Sequence, residues 1–330
     1  MVNLNTTYLG LNLKSPLLIG SSGLTNSVQD IALLEEYGAG AVVLKSIFEE
    51  EIIAGMVKLS GKAKSSSGNA DPLAFDYNYY EIKDQKLDAY LQLIDQAKKQ
   101  VKIPIIASIN CVSDHEWPYF AQRMEEAGAD AIELNVFASP MDFSKASSEN
   151  EKLYFDLIDE INKCIQIPVA MKIGPYSANL GPFIQRLSET KLEGIVLFNR
   201  FWNLDFDIEN FKVLSSYMFS NAEEYSQILR WIAIMSQRVS CDLSASTGVH
   251  DGETFIKLLL AGATTVQVVS ALYKRDKAYL KEFLNELEFW MDRHGFTSID
   301  DFRGKLSQSS SDDPAMYERV QFMKNTLEQA

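Results

Sequence analysis

Eight short apolar runs, each followed by an amphipathic stretch, limit what this chain can fold into. The runs are Leu17–Gly20, Ala41–Lys45, Pro104–Asn110, Ala131–Val136, Pro168–Ile173, Gly194–Phe198, Ser240–Ser246 and Thr264–Val269. Most are continuously apolar, as parallel strands buried on both faces are. The amphipathic stretches are Ser27–Tyr37, Lys86–Gln100, Glu116–Ala127, Ser148–Ile165, Asn179–Thr190, Glu223–Gln237, Gly252–Leu260 and, after the last run, Lys277–His294. Gly38, Gly128 and Gly262 follow three of these helices, where glycine supplies the left-handed cap. Eight strand-then-helix units predict an α/β chain folded as one (β/α)8 barrel domain over residues 1–330. An open doubly wound sheet is the weaker reading, because no GxGxxG follows the first strand.

Three segments exceed a minimal barrel. The Ile47–Lys83 connection is far longer than a usual loop and reads as a lid or binding loop. The Asn199–Asn221 connection is long and rich in aromatic residues, and a polar Ser307–Asp313 stretch leads to a short helix from Pro314.

The formal charge of −14 and the lack of a basic stripe argue against nucleic acid and an anionic membrane as partners. No run approaches the length of a membrane span, and the N-terminus does not resemble a signal peptide. Cys111, Cys164 and Cys241 form no CxxC pair, so no zinc site, cluster or disulfide framework is expected. With three scattered histidines, no metal is expected, and a reduced cytoplasm is the expected compartment.

Several runs end in polar residues: Lys45, Asn135, Lys172 and, one position beyond the sixth, Asn199. On a barrel these C-terminal strand ends converge on one mouth, where such folds place their chemistry. Two lysines with two asparagines suit an anionic ligand that also hydrogen-bonds; each lysine could instead reach solvent along its stem. The segments Ser246-Thr247-Gly248 and Val269-Ser270 follow the last two strands, where barrels of this type bind phosphate on backbone N–H groups.

In order and spacing, these motifs resemble the dihydroorotate dehydrogenase family, and its soluble class 1 branch most closely. The resemblance runs through Ser15-Pro16 to Ser21-Ser22-Gly23, Val43-Leu44-Lys45-Ser46, Glu133-Leu134-Asn135, Met171 to Tyr176, Asn199, Thr247-Gly248-Val249, Ala261 to Gln267, and Ser298 to Lys305. It implies FMN: Ser21, Ser22 and Gly23 along the ring, Lys45, Ser46 and Lys172 near its polar edge, and Ser246, Thr247, Gly248, Val269 and Ser270 at the phosphate. It also implies a small-molecule substrate, dihydroorotate or similar, held by Asn135 and Asn199. A base would take a proton while hydride leaves for the flavin, a step of pyrimidine biosynthesis. Family members are often homodimers. The acceptor stays open between fumarate and NAD reached through an electron-transfer partner subunit. A quinone fits less well, since a strand at Leu17 leaves no room before it for a membrane-binding extension.

The departures concern the substrate side. The family's Asn-Leu-Ser-Cys-Pro-Asn stands here as Asn135-Val136-Phe137-Ala138-Ser139-Pro140-Met141, without the cysteine base. Ser139 is the candidate base, with Lys45 beside it as a catalytic candidate; Ser139 also reads as a turn residue before proline. Cys111 could face the same mouth, or be an inert buried thiol. Asn69 is a loose match to a family substrate asparagine. Arg200 would add a cation to the pocket, or pair with Asp205, Asp207 or Glu209. Two other functions stand beside the main one: a related flavin barrel with another dihydropyrimidine-like or unsaturated substrate, and a non-redox phosphate-binding barrel or inactive paralogue.

Overall fold

Continuous apolar strands need cover on both faces, and a closed ring with helices outside supplies it. The computed structural model describes residues 2–52, 72–111, 116–139, 141–200, 204–215 and 218–318. Two short strands come first, β1 (Thr6–Tyr8) and β2 (Leu11–Leu13), paired antiparallel across a turn with Leu9 and Gly10 at positive φ. The barrel strands are β3 (Leu17–Ile19), β4 (Ala41–Val43), β6 (Ile105–Asn110), β7 (Ala131–Asn135), β8 (Val169–Ile173), β9 (Gly194–Leu197), β12 (Asp242–Ser246) and β13 (Thr265–Val268), with a two-residue β5 (Ile47–Phe48) beside β6. Neighbours pair in parallel, β13 pairs with β3, and β4 pairs with both β3 and β6, which closes the ring. The eight strands anticipated from the sequence are these eight, and the fold is a (β/α)8 barrel.

Alternation along each strand divides the core in two. Ile132, Leu134, Met171 and Ile173 belong to a large outer cluster with the helices, including Ile158 and Ile161 of Ser147–Cys164. A small inner cluster holds Leu18, Ala41, Val43, Ile106, Ala131 and Ala170 together with Tyr8, Leu9 and Leu13. Small residues at the starts of β4, β7 and β8 leave room for the hairpin, which plugs the N-terminal end of the barrel. The Leu9 N–H donates to Asp242 at the start of β12 (2.8 Å), fixing the plug. The sequence patterning contains no hint of this hairpin, because three-residue strands lack a readable period.

Other differences are local. The helix anticipated at Lys86–Gln100 starts earlier, at Pro72, and runs to Gln100. The connection after β9 carries a further hairpin, β10 (Leu204–Asp207) paired with β11 (Lys212–Ser215). The polar stretch carries a 3₁₀ turn at Gln308–Ser310, and the short helix anticipated from Pro314 is a 3₁₀ turn at Pro314–Tyr317. No helix among the described residues is long and apolar enough to cross a membrane.

Candidate active site

The C-terminal ends of the strands hold a cavity of about 870 Å³. Asn135, Ser139, Asn199 and Arg200 line it, beside Asn110, Cys111, Trp117, Gly174 and Tyr176. Asn135 ends β7, and Asn199 follows β9, its N–H donating to the Ile173 carbonyl at the end of the intervening β8 (2.7 Å), so the strands on either side of β8 deliver the two amides. Asn199 Nδ2 donates to Asn135 Oδ1 (2.7 Å). Each amide keeps its other polar atom for a ligand.

Lys172, also buried, comes from β8 two positions beyond inward-facing Ala170. Its Nζ donates to Gln267 Oε1 (2.8 Å), and Gln267 Nε2 donates to Glu133 Oε2 (2.6 Å). Burial pushes the Lys172 ammonium below its usual range, and the Glu133 charge opposes that fall. Both Glu133 and Gln267 lie inside the strand runs, where an apolar-run reading passes over single polar residues. Their shared inward face with Asn135 and Thr265 was the available signal.

Lys45 is less enclosed; its Nζ pairs with Glu51 at 3.0 Å, with 39% of its side chain exposed. Ser46 lies deeper. Its N–H donates to Ser21 Oγ (2.8 Å), its hydroxyl meets Ser21 Oγ at 3.1 Å and Ser108 Oγ at 2.7 Å, and Tyr90 OH accepts from the Ser108 N–H (2.9 Å). Ser22 caps the turn Gly23–Thr25, and a Cβ on Gly23 would lie 2.7 Å from the Tyr273 hydroxyl.

Ser246, Thr247, Gly248, Val269 and Ser270 form a second group on neighbouring units. Thr247 (φ 89) and Gly248 (φ 77) fold the chain back after β12. A strap from the β9 connection docks there: the Ser220 N–H donates to Ser270 Oγ (3.0 Å), Ser220 Oγ meets His250 Nε2 (3.1 Å), and Lys274 Nζ donates to the Ser220 carbonyl (2.7 Å). Burial, then the nearby Lys274 charge, pushes His250 down, so its ring is neutral near pH 7. Nothing in the sequence pattern signalled Ser220, His250 or Lys274 as parts of this network. None of the eleven ring and phosphate candidates lines this cavity.

Arg200 pairs with Glu224 (2.9 Å) and donates to the Met218 carbonyl (3.3 Å), a partner outside the Asp205–Glu209 stretch anticipated for it. Ser139 Oγ accepts from the Met141 N–H (3.3 Å), and the Tyr154 hydroxyl accepts from the Ala138 N–H (3.2 Å), which shapes the loop. Cys111 lines the cavity, but burial and then the Glu49, Glu116 and Glu50 carboxylates push its thiol far up, partly offset by Lys83. Asn69 lies outside the described residues.

Comparison with known proteins adds a family. The family model described as Dihydroorotate dehydrogenase matches residues 3–291. The catalytic subunit of dihydroorotate dehydrogenase B (NAD(+)) of Thermoplasma volcanium is 26% identical over 313 residues, covering 92% of this chain and 98% of that protein. Its namesake in Methanocaldococcus jannaschii is 22% identical, covering 89% and 95%. The chloroplastic dihydropyrimidine dehydrogenase (NADP(+)) of Arabidopsis thaliana is 24% identical over 330 residues, covering 93% of this chain and 77% of that protein.

Proposed function

Because the chain belongs to the dihydroorotate dehydrogenase family, and is therefore an oxidoreductase acting on CH–CH groups, we propose that it binds FMN at the barrel mouth and oxidises a dihydro ring bearing amide groups, with dihydroorotate the first candidate. The observation that carries this is the Asn135–Asn199 pair on the cavity lining. With one hydrogen bond spent between them, Asn135 still offers an N–H donor and Asn199 a carbonyl acceptor, the complement of a ring that carries C=O beside N–H.

The residues present fit a flavin on two counts. Lys172 and Gln267 set a cation and an amide inside the mouth, matching a ring edge that alternates carbonyls and nitrogens. The Gly23 turn projects no side chain, and one placed there would meet Tyr273. Lys172, Ser21, Ser22, Gly23, Lys45 and Ser46 would hold the ring, and Ser246, Thr247, Gly248, Val269 and Ser270 the phosphate. Bound FMN would supply a two-electron acceptor. Ser139 is the proposed base: its Oγ accepts from the Met141 N–H and keeps a second lone pair for the substrate proton, with its own hydroxyl proton passing to water in the cavity. The pushed-up thiol makes Cys111 the poorer choice. For electron removal, the archaeal relatives' description as catalytic subunits supports a partner protein.

A second reading concerns the substrate's charge. Glu50, Asp142, Glu149, Asp156, Asp159 and Glu160 line the cavity against Lys145, Lys163 and Arg200, and Arg200 is already matched by Glu224. This balance favours an uncharged dihydropyrimidine over a ring with a carboxylate. Anaerobic addition of dihydroorotate or dihydrouracil to the FMN-loaded protein tests both readings. Bleaching by dihydroorotate supports the first, and bleaching by dihydrouracil alone supports the second. A protein that takes up no FMN overturns both.

A further inference from the structure

An ammonium is costly to bury, and Lys172 is buried where solvent cannot compensate it. Its counter-charge arrives indirectly. Gln267 of β13 stands between Lys172 of β8 and Glu133 of β7, accepting from the lysine at 2.8 Å and donating to the carboxylate at 2.6 Å. These two bonds leave the amide one orientation, oxygen toward the cation and nitrogen toward the anion. Strands β9 and β12 separate β8 from β13, so the bridge crosses the barrel interior. All three side chains are more than nine-tenths buried or close to it: Glu133 is 1%, Gln267 2% and Lys172 9% exposed.

Two details set this apart from an ordinary buried ion pair. Glu133 Oε1 accepts no hydrogen bond and lies 4.0 Å from Lys172 Nζ, so the charges do not form a tight contact pair. The ammonium has three donors, and the hydrogen bond to Gln267 occupies one. The remaining donors are available to a ligand. The other lysine at the mouth, Lys45, is already matched by Glu51 at the rim. Tyr8 of the hairpin and Tyr90 of the 72–100 helix also feel the Glu133 charge; burial drives both phenols up, so they stay neutral.

We propose that Glu133 and Gln267 are positioning residues, which hold Lys172 charged and aimed at the flavin so that the anionic reduced form is stabilised. This rests on the flavin reading above, because the lysine's ligand is the ring edge. The carboxylate sustains the charge, and the amide fixes its place without quenching it by direct contact.

The test uses FMN-loaded protein and two variants, Glu133→Gln and Gln267→Met. Oxidised FMN affinity is measured by fluorescence titration, and the flavin midpoint potential is followed against pH. In Glu133→Gln the lysine loses its counter-charge, so it deprotonates at lower pH than in the unsubstituted protein. The expected result is unchanged oxidised-FMN affinity with a new break in potential against pH between neutral and alkaline conditions. Gln267→Met keeps both charges and removes the bridge, and its break should fall at higher pH than that of Glu133→Gln. A purely structural role would lower flavin affinity or protein yield without adding a break. Potential curves that run parallel to the unsubstituted protein overturn the proposal, and if Glu133→Gln does not fold, Gln267→Met decides alone. Failure of the unsubstituted protein to take up FMN overturns the flavin reading and this proposal with it; uptake with parallel curves overturns this proposal only.

Discussion

Replacing Gly248 with alanine tests whether the loop after β12 is as tightly packed as it looks. The residue sits at φ 77, where an L side chain costs about 1–2 kcal/mol. A Cβ there would fall 2.2 Å from the Tyr225 nitrogen and 2.8 Å from its Cα. Both are backbone atoms at the start of the Tyr225–Met235 helix, so no rotamer change relieves the clash. The helix end must withdraw by about 1 Å, the kind of overpacking that costs about 1–3 kcal/mol. Gly248→Ala should therefore lose roughly 2–5 kcal/mol of stability. Gly10→Ala is the control: its φ is 72 and nothing lies within 4 Å of its Cβ position, so only the left-handed cost of about 1–2 kcal/mol applies. Urea unfolding followed by tryptophan fluorescence reads both. The shift should reach the cavity too, because Glu224, which precedes Tyr225, holds Arg200. A Gly248→Ala loss no larger than that of Gly10→Ala would refute the packing argument.

Three further outcomes follow from the geometry. Ser139→Ala should leave FMN affinity unchanged and slow flavin reduction by roughly 10²–10⁴-fold if the hydroxyl acts as base, as stopped-flow absorbance would read; unchanged kinetics remove Ser139 from the chemistry. Burial pushes the Cys111 thiol far up and the Cys241 thiol to about 12, so iodoacetamide at about pH 8 should modify neither in the folded protein; peptide mass spectrometry that finds Cys111 alkylated as fast as a free thiol would contradict this. Hydrogen bonds from the Thr297 and Ser298 N–H groups hold Asp301 at about 2, below its ordinary 3.8. Its folded value is depressed, so its stabilisation is complete above the ordinary value and lost as pH falls through about 2. Asp301→Asn should then be less stable than the unsubstituted protein near neutrality, with the gap closing in acid; a gap independent of pH would count against the assignment.

The barrel was legible because buried parallel strands leave long apolar runs, and glycines after three of the helices mark where the next run begins. The β1–β2 hairpin was not legible, since its residues carry a tertiary role that three-residue strands cannot announce. The mouth was legible where polar residues end strands, as at Asn135 and Lys172. Glu133 and Gln267 stood within the family motifs without a role of their own, because one polar side chain inside an apolar run looks like noise until alternation assigns it to the interior. Lys45 and Lys172 looked alike in sequence, yet one pairs at the rim and the other lies buried across from a carboxylate. That difference depends on which loop and which opposite strand approach each lysine, and neither is encoded near it. Arg200 shows the same limit: its partner Glu224 comes from the far end of its own connection.

The hairpin inside the bottom of the barrel makes the interior a blind well. Tyr8, Leu9 and Leu13 close the lower end, and Leu9 is pinned to Asp242. The asparagine pair and Lys172 are therefore served from one side. Whatever enters to be oxidised must depart by the opening it came through before a second small molecule can use it. An electron acceptor too large to enter has to take its electrons from the rim. Single-file traffic of this kind makes an alternating order of events the natural kinetic scheme for the protein.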